Sequence, residues 1–158
     1  MIAIYPGSFD PFSNGHLNVL VHASSIFEKV YVVVMNHPNK KRFINPDTAR
    51  ELIIKSLDGK FPNVEVVVAG SGLIYKEAIR LGCDYVVRGV RNNGVDYFYE
   101  ENLAEFNNSV GKINTIFIRA DVNKNISSTM IRLLVGNNEP ISSYVPPPIN
   151  EYLRGITK

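Results

Sequence analysis

The chain has 158 residues, 45% of them hydrophobic, which is the size of one compact domain with enough apolar mass to bury a core. Its 17 basic and 15 acidic residues leave a net charge of only +2, so the dense positive field that nonspecific nucleic-acid binding requires is not expected. Cys83 is the only cysteine, which excludes an intramolecular disulfide and favours a reducing compartment, by default the cytoplasm.

Short apolar runs rich in β-branched residues recur along the chain, and helical patterns separate them. They lie at residues 2–5, 30–35, 64–68, 85–87 and 113–118. Because the runs are apolar without strict alternation, they indicate strands covered on both faces, as in a parallel sheet. The prediction is a single-domain α/β fold, a Rossmann-like doubly wound sheet of about five parallel strands with helices on both faces.

Residues that start or stop helices locate several of the helices. Asn45 followed by Pro46 places a cap before a proline at the first helical position, and a glycine directly follows the helical pattern over 74–81. Another helix is expected over 97–110, and a last short helix near 149–154 after a run of prolines. The chain enters its first strand without a basic region or a long apolar stretch, so neither a signal peptide nor a membrane span is expected.

The loops after the strands are expected to carry the chemistry. In a doubly wound parallel sheet, ligands bind beyond the carboxyl ends of the strands, where the strand order reverses. The candidate loops are residues 6–14, 36–43, 69–72, 89–96 and 119–125. Their polar, basic and glycine-rich content contrasts with the apolar strands before them, as is typical of functional loops on a rigid scaffold.

The first of these loops belongs to the sequence YPGSFDPFSNGH at residues 5–16, which leaves a strand and opens a helix. Gly7 permits close approach of the backbone to a ligand, and Ser8 can donate a hydroxyl. Gly15 and His16 fall where unpaired helix N–H groups and the helix dipole attract phosphate. The simpler alternative is a structural turn with a serine or asparagine cap. Neither the P-loop pattern nor the dinucleotide-binding GxGxxG pattern occurs, so a phosphate site here would be of another kind.

A second candidate is the sequence ISSTMIR at residues 126–132, which starts the helix after the fifth strand. Its consecutive hydroxyls can cap the helix and also face an anionic ligand together with the backbone N–H groups. Taken alone, such a sequence is usually a helix cap. Its place after a sheet strand brings it near the first motif, which favours a joint phosphate site.

Basic residues after two other strands offer further phosphate contacts. Arg88 and Arg91 flank a glycine after the fourth strand, and a guanidinium suits phosphate oxygens because its hydrogen bonds are charged and forked. The alternative is a pair of surface salt bridges. The run Lys40-Lys41-Arg42 follows the second strand, where a solvated loop is the simpler interpretation, although one member could reach inward.

Together these segments resemble the nucleotidyltransferase superfamily, which is marked by (H/T)xGH and ISSTxIR elements. Within it the chain is similar to the bacterial phosphopantetheine adenylyltransferases, through YPGSFDP, SNGH, the lysine after the second strand, RGVR, Tyr99-Glu100 and ISST. The elements match in order and spacing over nearly the whole chain. The resemblance implies that ATP and 4'-phosphopantetheine are joined into dephospho-coenzyme A and pyrophosphate, with Mg²⁺, by a homohexamer.

The resemblance also assigns residues to roles. It places transition-state stabilisation on His16 and contacts with the acceptor on Ser8, Lys40, Ile74 and Arg88. It places ATP contacts on Ser8, Phe9, His16, Gly89, Val90, Arg91, Glu100, Asn123, Lys124, Asn125, Ile126, Ser127, Ser128 and Thr129. The chain departs from the family pattern where Ser13 replaces the usual threonine, where residues 92–95 look one residue longer than the usual linker, and where residues 123–125 lack the common aromatic.

The residues themselves make this chemistry plausible. A phosphomonoester has a second pKa near ~6, so at neutral pH the acceptor is already largely a nucleophilic dianion, and a protein nucleophile is not required. The protein must align the reacting groups and neutralise charge on the transferring phosphoryl group. His16, Lys40 and Arg91 are the predicted catalytic residues for that task. Mg²⁺ held chiefly by substrate oxygens and water fits the lack of an evident protein metal cage.

Two alternatives remain at this stage. A related adenylyl- or cytidylyltransferase would act on nicotinamide mononucleotide or glycerol phosphate, and the short chain with its YPGSFDP and RGVR motifs favours phosphopantetheine. A nucleotide-binding regulatory module would retain ATP without catalysis, and His16 argues against it because backbone amides and arginines alone could hold ATP. We expect neither a nucleic-acid partner nor a membrane partner.

Overall fold

The computed structural model of the chain describes residues 1–91, 94–121 and 126–156. Strands and helices alternate along it as the hydrophobic pattern predicts. In chain order they are β1 (Ile2–Gly7), α1 (Asn14–Ile26), β2 (Lys29–Val34), α2 (Pro46–Leu57), β3 (Val64–Val68), α3 (Ile74–Leu81), β4 (Tyr85–Val90), α4 (Gly94–Gly111), β5 (Asn114–Arg119), α5 (Ser128–Gly136) and α6 (Pro147–Ile156). No helix within the described residues is long and apolar enough to cross a bilayer.

The strands form one parallel sheet in the order β3-β2-β1-β4-β5. This confirms the predicted α/β class and the doubly wound, Rossmann-like arrangement. The main correction concerns β4, which continues to Val90 rather than ending at Val87. Its last residues stay in the ladder because Arg88, Gly89 and Val90 pair with the last three residues of β5. Part of the basic segment predicted as a loop therefore belongs to the end of a strand.

Two apolar cores lie on opposite faces of the sheet, as the alternation along β2 shows. Val30 and Val32 belong to a larger core with buried residues of α1, α2, α5 and α6. Val33 and Met35 belong to a smaller core that includes α3 and the residues around it. Because both faces are covered, the strands are apolar at successive positions, which is why they lacked a period of two in the sequence.

The helix boundaries follow the predicted stop and start signals. Asn45 caps α2 by accepting a hydrogen bond from the backbone N–H of Asp47, with Pro46 at the first helical position. Gly82 ends α3 in the left-handed region at φ +67°, where glycine is favoured. The helix α4 begins at residue 94, three residues before the predicted 97.

The strand order reverses direction between β1 and β4. The chain moves from β1 outward to β2 and β3, then crosses the sheet to β4 and β5. Near their amino ends, β1 and β4 pair through Ala3 with Tyr85 and Ile4 with Val86. The loops that leave their carboxyl ends diverge toward opposite sides of the sheet, which creates the crevice where ligands bind in this fold.

Candidate active site

A cavity of about 450 Å³ lies at this reversal point, beyond the carboxyl ends of β1 and β4. Its walls come from both strands, from the amino ends of α1 and α5, from α4 and from the loop after β2. Among the described residues that line it are the following predicted site residues: Ser8, Phe9, His16, Lys40, Arg88, Gly89, Val90, Arg91, Glu100, Ile126, Ser127, Ser128 and Thr129. The fold thus brings together four segments that are far apart in the sequence.

The amino end of α1 holds His16 in a fixed orientation. The Ser13 hydroxyl accepts a hydrogen bond from the His16 backbone N–H at 3.2 Å, and the His16 Nδ1 accepts one from the Ser13 backbone N–H at 2.9 Å. The rings of Phe9 and Phe12 pack against the imidazole, with centroids 5.0 and 5.6 Å away. The structural-cap interpretation therefore holds, and the cap also orients the histidine that lines the cavity.

These contacts also fix the chemical state of His16. Since Nδ1 accepts a hydrogen bond from an amide, the neutral ring carries its proton on Nε2. Burial, together with the smaller effect of the positive charges of Arg88 and Arg91, lowers the pKa of His16 to about 3. A ring that stays neutral at physiological pH can donate one hydrogen bond from Nε2 without acting as a strong acid.

Arg88 forms a bidentate ion pair inside the cavity wall. Its Nε and Nη2 donate to the two carboxylate oxygens of Glu100 at 2.7 and 2.8 Å, and its Nη1 donates to the Pro6 carbonyl at 2.6 Å. Both side chains are mostly buried, with 20% and 12% of their surfaces exposed. Burial disfavours the charge, but the hydrogen bonds and the charge of Glu100 raise the pKa of Arg88. The alternative of a surface salt bridge is therefore replaced for Arg88 by a mostly buried ion pair between β4 and α4, and the bond to the Pro6 carbonyl joins β4 to β1.

Tyr5 is buried close to this ion pair. Burial raises the pKa of its hydroxyl, the Arg88 charge lowers it, and the Glu100 charge raises it, with burial the largest effect. The phenol therefore remains protonated at neutral pH. It contributes a neutral polar group to the cavity wall.

The amino end of α5 divides its hydroxyls between two tasks. Ser127 caps the helix by accepting from the Met130 backbone N–H at 3.1 Å. Ser128 instead donates to the Pro11 carbonyl at 2.8 Å, which ties α5 to the turn after β1. Arg132 completes this link, because its Nη1 donates to the Asp10 carbonyl at 2.6 Å. The two phosphate-binding motifs predicted from the sequence are thus joined directly by hydrogen bonds.

Close packing of α1 on β4 shapes the cavity floor. A Cβ atom added at Gly89 would lie 2.9 Å from the Cγ2 atom of Val19, a separation that real Cβ atoms essentially never show. Val19 is buried and β-branched, so it has little freedom to move. The glycine after Arg88 is therefore required for helix packing, whatever it contributes to ligand binding.

Some predicted site residues do not line the cavity. Ile74 lies at the first position of α3, packs against the smaller core and is not among the lining residues. Asn123, Lys124 and Asn125 lie outside the described residues. The cavity therefore brings together the other predicted site residues, but not Ile74.

Sequence reasoning missed residues whose role depends on backbone contacts. Arg132 lies within the ISSTMIR motif but was not assigned a contact, and it lines the cavity. Tyr99, next to Glu100, lines the cavity as well. Arg42 reaches inward from the basic run, in which a solvated loop was the simpler interpretation, and donates to the Ser8 carbonyl at 2.7 Å. The motif itself could have indicated Arg132, whereas no pattern indicated Arg42.

The charge of the cavity suits a nucleotide. Among the described lining residues, the basic side chains are Lys40, Arg88, Arg91 and Arg132, and the acidic one is Glu100. Two helix amino termini add positive potential and backbone N–H donors. No group of three or more His, Cys, Asp or Glu side chains within residues 1–91, 94–121 and 126–156 could hold a metal ion. Such a site fits a divalent cation only when phosphate oxygens and water supply most of its ligands.

The doubly wound fold, the cavity at the reversal point and the order of the motifs define a nucleotidyltransferase. The chain matches the cytidylyltransferase-like family over residues 4–134. The nicotinic acid mononucleotide adenylyltransferase of Plasmodium falciparum shares the fold with a TM-score of 0.67 at 17% identity, over 98% of this chain and 94% of that one.

Curated relatives define the family more narrowly. The phosphopantetheine adenylyltransferase of Leuconostoc mesenteroides is 38% identical over 156 residues, which are 97% of this chain and 94% of the relative. The phosphopantetheine adenylyltransferase of Rhizobium rhizogenes is 37% identical over 161 residues, 99% of this chain and 96% of the relative. The chain belongs to the phosphopantetheine adenylyltransferase family of nucleotidyltransferases.

Proposed function

We propose that the chain transfers the adenylyl group of ATP to 4'-phosphopantetheine, which gives dephospho-coenzyme A and pyrophosphate, the penultimate step of coenzyme A synthesis. One observation carries the proposal: a single cavity gathers His16, Lys40, Arg88 and Arg91 at the amino ends of two helices. Sequence identity of 37% and 38% to phosphopantetheine adenylyltransferases, over nearly the whole chain, supports the choice of acceptor.

The reaction needs no covalent intermediate with the protein. A phosphate oxygen of the acceptor attacks the α-phosphorus of ATP, and the bond from that phosphorus to the oxygen bridging the α- and β-phosphates breaks. Pyrophosphate leaves with that electron pair. Above its second pKa of about 6 the acceptor phosphate is largely a dianion, so the protein does not have to activate it with a base. The protein has to align the acceptor with the leaving pyrophosphate and to neutralise the negative charge on the transferring group.

His16 and Arg91 are proposed to stabilise the transferring group. The neutral Nε2–H of His16 is preorganised by the Ser13 amide, so it can donate to a phosphate oxygen as charge develops there. Arg91, the residue after β4, adds a full positive charge to the same cavity. Preorganised donors of this kind stabilise a transition state at little cost in reorganisation.

Lys40 and Arg88 are proposed to hold the acceptor phosphate. Arg88 already shares two of its N–H groups with Glu100, which fixes the guanidinium plane and leaves other N–H groups for a ligand. Lys40 comes from the exposed loop after β2 and lines the same cavity. A guanidinium held in one plane and an ammonium on a flexible stem together suit a phosphate that must enter and then be aligned.

Mg²⁺ is proposed as the cofactor, with phosphate oxygens and water as its principal ligands. When bound, it would offset negative charge on the phosphate chain. The described residues form no cluster of acidic side chains that could hold the ion by itself. Glu100 is the carboxylate among the described cavity residues, and both of its oxygens already accept hydrogen bonds from Arg88. The protein's own part is to orient the nucleotide through backbone amides and basic side chains.

A homohexamer in the cytoplasm is proposed from the family resemblance. The aromatic side chains of Tyr97, Phe98 and Tyr99 on α4 are 52%, 70% and 65% exposed in the single chain. Because consecutive helix residues point in different directions, they do not form one patch, and the hexamer rests on the resemblance alone. Light scattering at working concentration measures the mass, and a stable monomer would contradict the hexamer.

The acceptor assignment is tested with purified protein, Mg²⁺, ATP and a panel of acceptors, with pyrophosphate release as the readout. Release with 4'-phosphopantetheine should exceed release with nicotinamide mononucleotide or glycerol phosphate by orders of magnitude, and mass spectrometry should identify dephospho-coenzyme A. Unphosphorylated pantetheine should be essentially inert, because its hydroxyl lacks both the charge and a base to activate it. A preference for a rival acceptor would defeat the substrate assignment, and ATP binding without pyrophosphate release would favour a regulatory module.

A further inference from the structure

Arg42 is the member of the basic run after β2 whose side chain turns inward. Its guanidinium donates hydrogen bonds to three backbone carbonyls: Nη2 to Ser8 at 2.7 Å, Nη1 to Met35 at 2.9 Å and Nε to Ile44 at 2.8 Å. A planar guanidinium presents donors in several fixed directions. One side chain can therefore hold three separate backbone segments in a set arrangement.

Two of those carbonyls mark the ends of a loop. Met35 and Ile44 are buried, whereas residues 36–41 between them are exposed. Lys40 lies near the middle of this loop and lines the cavity. The long side chain of a lysine has many rotamers, so the position of its ammonium depends strongly on where the loop backbone is held.

The third carbonyl belongs to the turn that the loop faces, and other groups anchor that turn independently. Arg132 donates to the Asp10 carbonyl, and Ser128 donates to the Pro11 carbonyl. The Asp10 carboxylate also accepts from the backbone N–H of Ile44 at 2.7 Å and from that of the preceding residue at 2.8 Å. These Asp10 contacts keep residues 43 and 44 attached to the turn without Arg42. Loss of Arg42 would therefore leave the turn in place and release mainly the exposed residues 36–41 of the loop.

We propose that Arg42 is a positioning residue for the acceptor: it holds the loop of residues 36–43 against the Ser8 turn and thereby places Lys40 in the cavity. The identity of the acceptor in this inference rests on the proposed function. The role of Arg42 itself rests on its three carbonyl contacts.

A double-mutant cycle tests the link between the two residues. The parent, Arg42→Ala, Lys40→Ala and the double variant are compared by kcat/KM for 4'-phosphopantetheine at saturating ATP, with the ATP Kd measured separately. Lys41→Ala is the matched control, because it removes an exposed charge from the same run. Arg42→Lys tests partial rescue, since one ammonium cannot span three separated carbonyls.

We expect Arg42→Ala to lower kcat/KM for the acceptor roughly tenfold, as a misplaced binding group does, and to change the ATP Kd by less than about threefold. In the Lys40→Ala background, Arg42→Ala should cost little more, because the group that it places is already gone. Arg42→Lys should fall between Arg42→Ala and the parent. Lys41→Ala should stay within about twofold of the parent, as exposed charges usually contribute little.

Three results would overturn the role of Arg42. The first is a double variant in which the two losses of kcat/KM multiply, the second is an ATP affinity that falls as much as kcat/KM for the acceptor, and the third is a Lys40→Ala variant as active as the parent. If Arg42→Ala does not fold, Arg42→Lys replaces it in the same cycle. If the parent itself does not use 4'-phosphopantetheine, the proposed function has failed and hydrogen exchange decides the inference. Arg42→Ala should then speed amide exchange in residues 36–42 but not in residues 8–16, and unchanged exchange in 36–42 would refute it.

Discussion

Replacement of His16 by alanine separates a catalytic hydrogen bond from a structural one. The variant loses the Nε2–H donor that faces the cavity and the Nδ1 acceptor that pairs with the Ser13 amide. The Ser13 hydroxyl still caps the His16 backbone N–H, so half of the reciprocal cap survives. The two losses should therefore appear in different measurements.

Their magnitudes differ. Loss of one preorganised donor to a developing oxyanion costs about 10²–10³ in kcat, which corresponds to roughly 2.7–4 kcal/mol. Loss of part of a helix cap costs about 0.5–2 kcal/mol of folding free energy. Because the cap effect does not act on the chemical step, we expect kcat to fall at least about 10²-fold, while ATP affinity changes much less.

The assay is pyrophosphate release under saturating ATP and acceptor, with calorimetric titration of ATP and urea unfolding of each variant. Asn45→Ala is the matched control, since Asn45 caps α2 through one side-chain hydrogen bond and does not line the cavity. It should lose a similar folding free energy and keep its turnover. Equal kcat in parent and His16→Ala, or an equal loss in Asn45→Ala, would remove His16 from the mechanism.

Further predictions concern the ion pair, the pH dependence and the packing of the cavity floor. Arg88→Ala should lower kcat/KM for the acceptor, and unchanged acceptor kinetics would contradict the acceptor role. It should also lower the unfolding free energy by about 3 kcal/mol in urea titrations, because it leaves the mostly buried Glu100 carboxylate without its partner. Burial lowers the pKa of His16 in the folded chain to about 3, from 6.5 in the unfolded chain. Between pH 3 and pH 6.5 the unfolded chain therefore binds a proton on His16 that the folded chain does not bind. The contribution of His16 to stability is therefore complete above pH 6.5 and is lost as the pH falls toward 3, so urea unfolding at pH 7 and pH 5 should differ more in the parent than in His16→Gln. Gly89→Ala should lower the unfolding free energy by about 1–3 kcal/mol, because the added Cβ would collide with Val19. Gly136→Ala is the control and should not destabilise the fold, because a Cβ added there meets nothing within 4 Å. Equal thermal stability of both variants would refute this packing argument.

The sequence by itself determined the fold class and the segments that form the cavity. Short apolar runs without alternation, separated by helical patterns, are typical of strands covered on both faces, so they predicted the parallel arrangement that the structure confirms. Local signals such as Asn45-Pro46 and the glycine after α3 act within a few residues of where they stand, and their positions were correct. The resemblance of the motifs, in their order, to those of a known family was likewise sufficient to indicate the family.

Only the tertiary structure decided how those segments connect. The pairing of Arg88 with Glu100, the contact of Arg132 with the Asp10 carbonyl and the inward turn of Arg42 all join residues that are distant in the chain or bind to backbone carbonyls. Carbonyls are present at every residue, so the sequence carries no mark of which one accepts a guanidinium hydrogen bond. The neutral state of His16 follows from the same cause, because burial and nearby arginines exist only once the strands and helices have assembled around it.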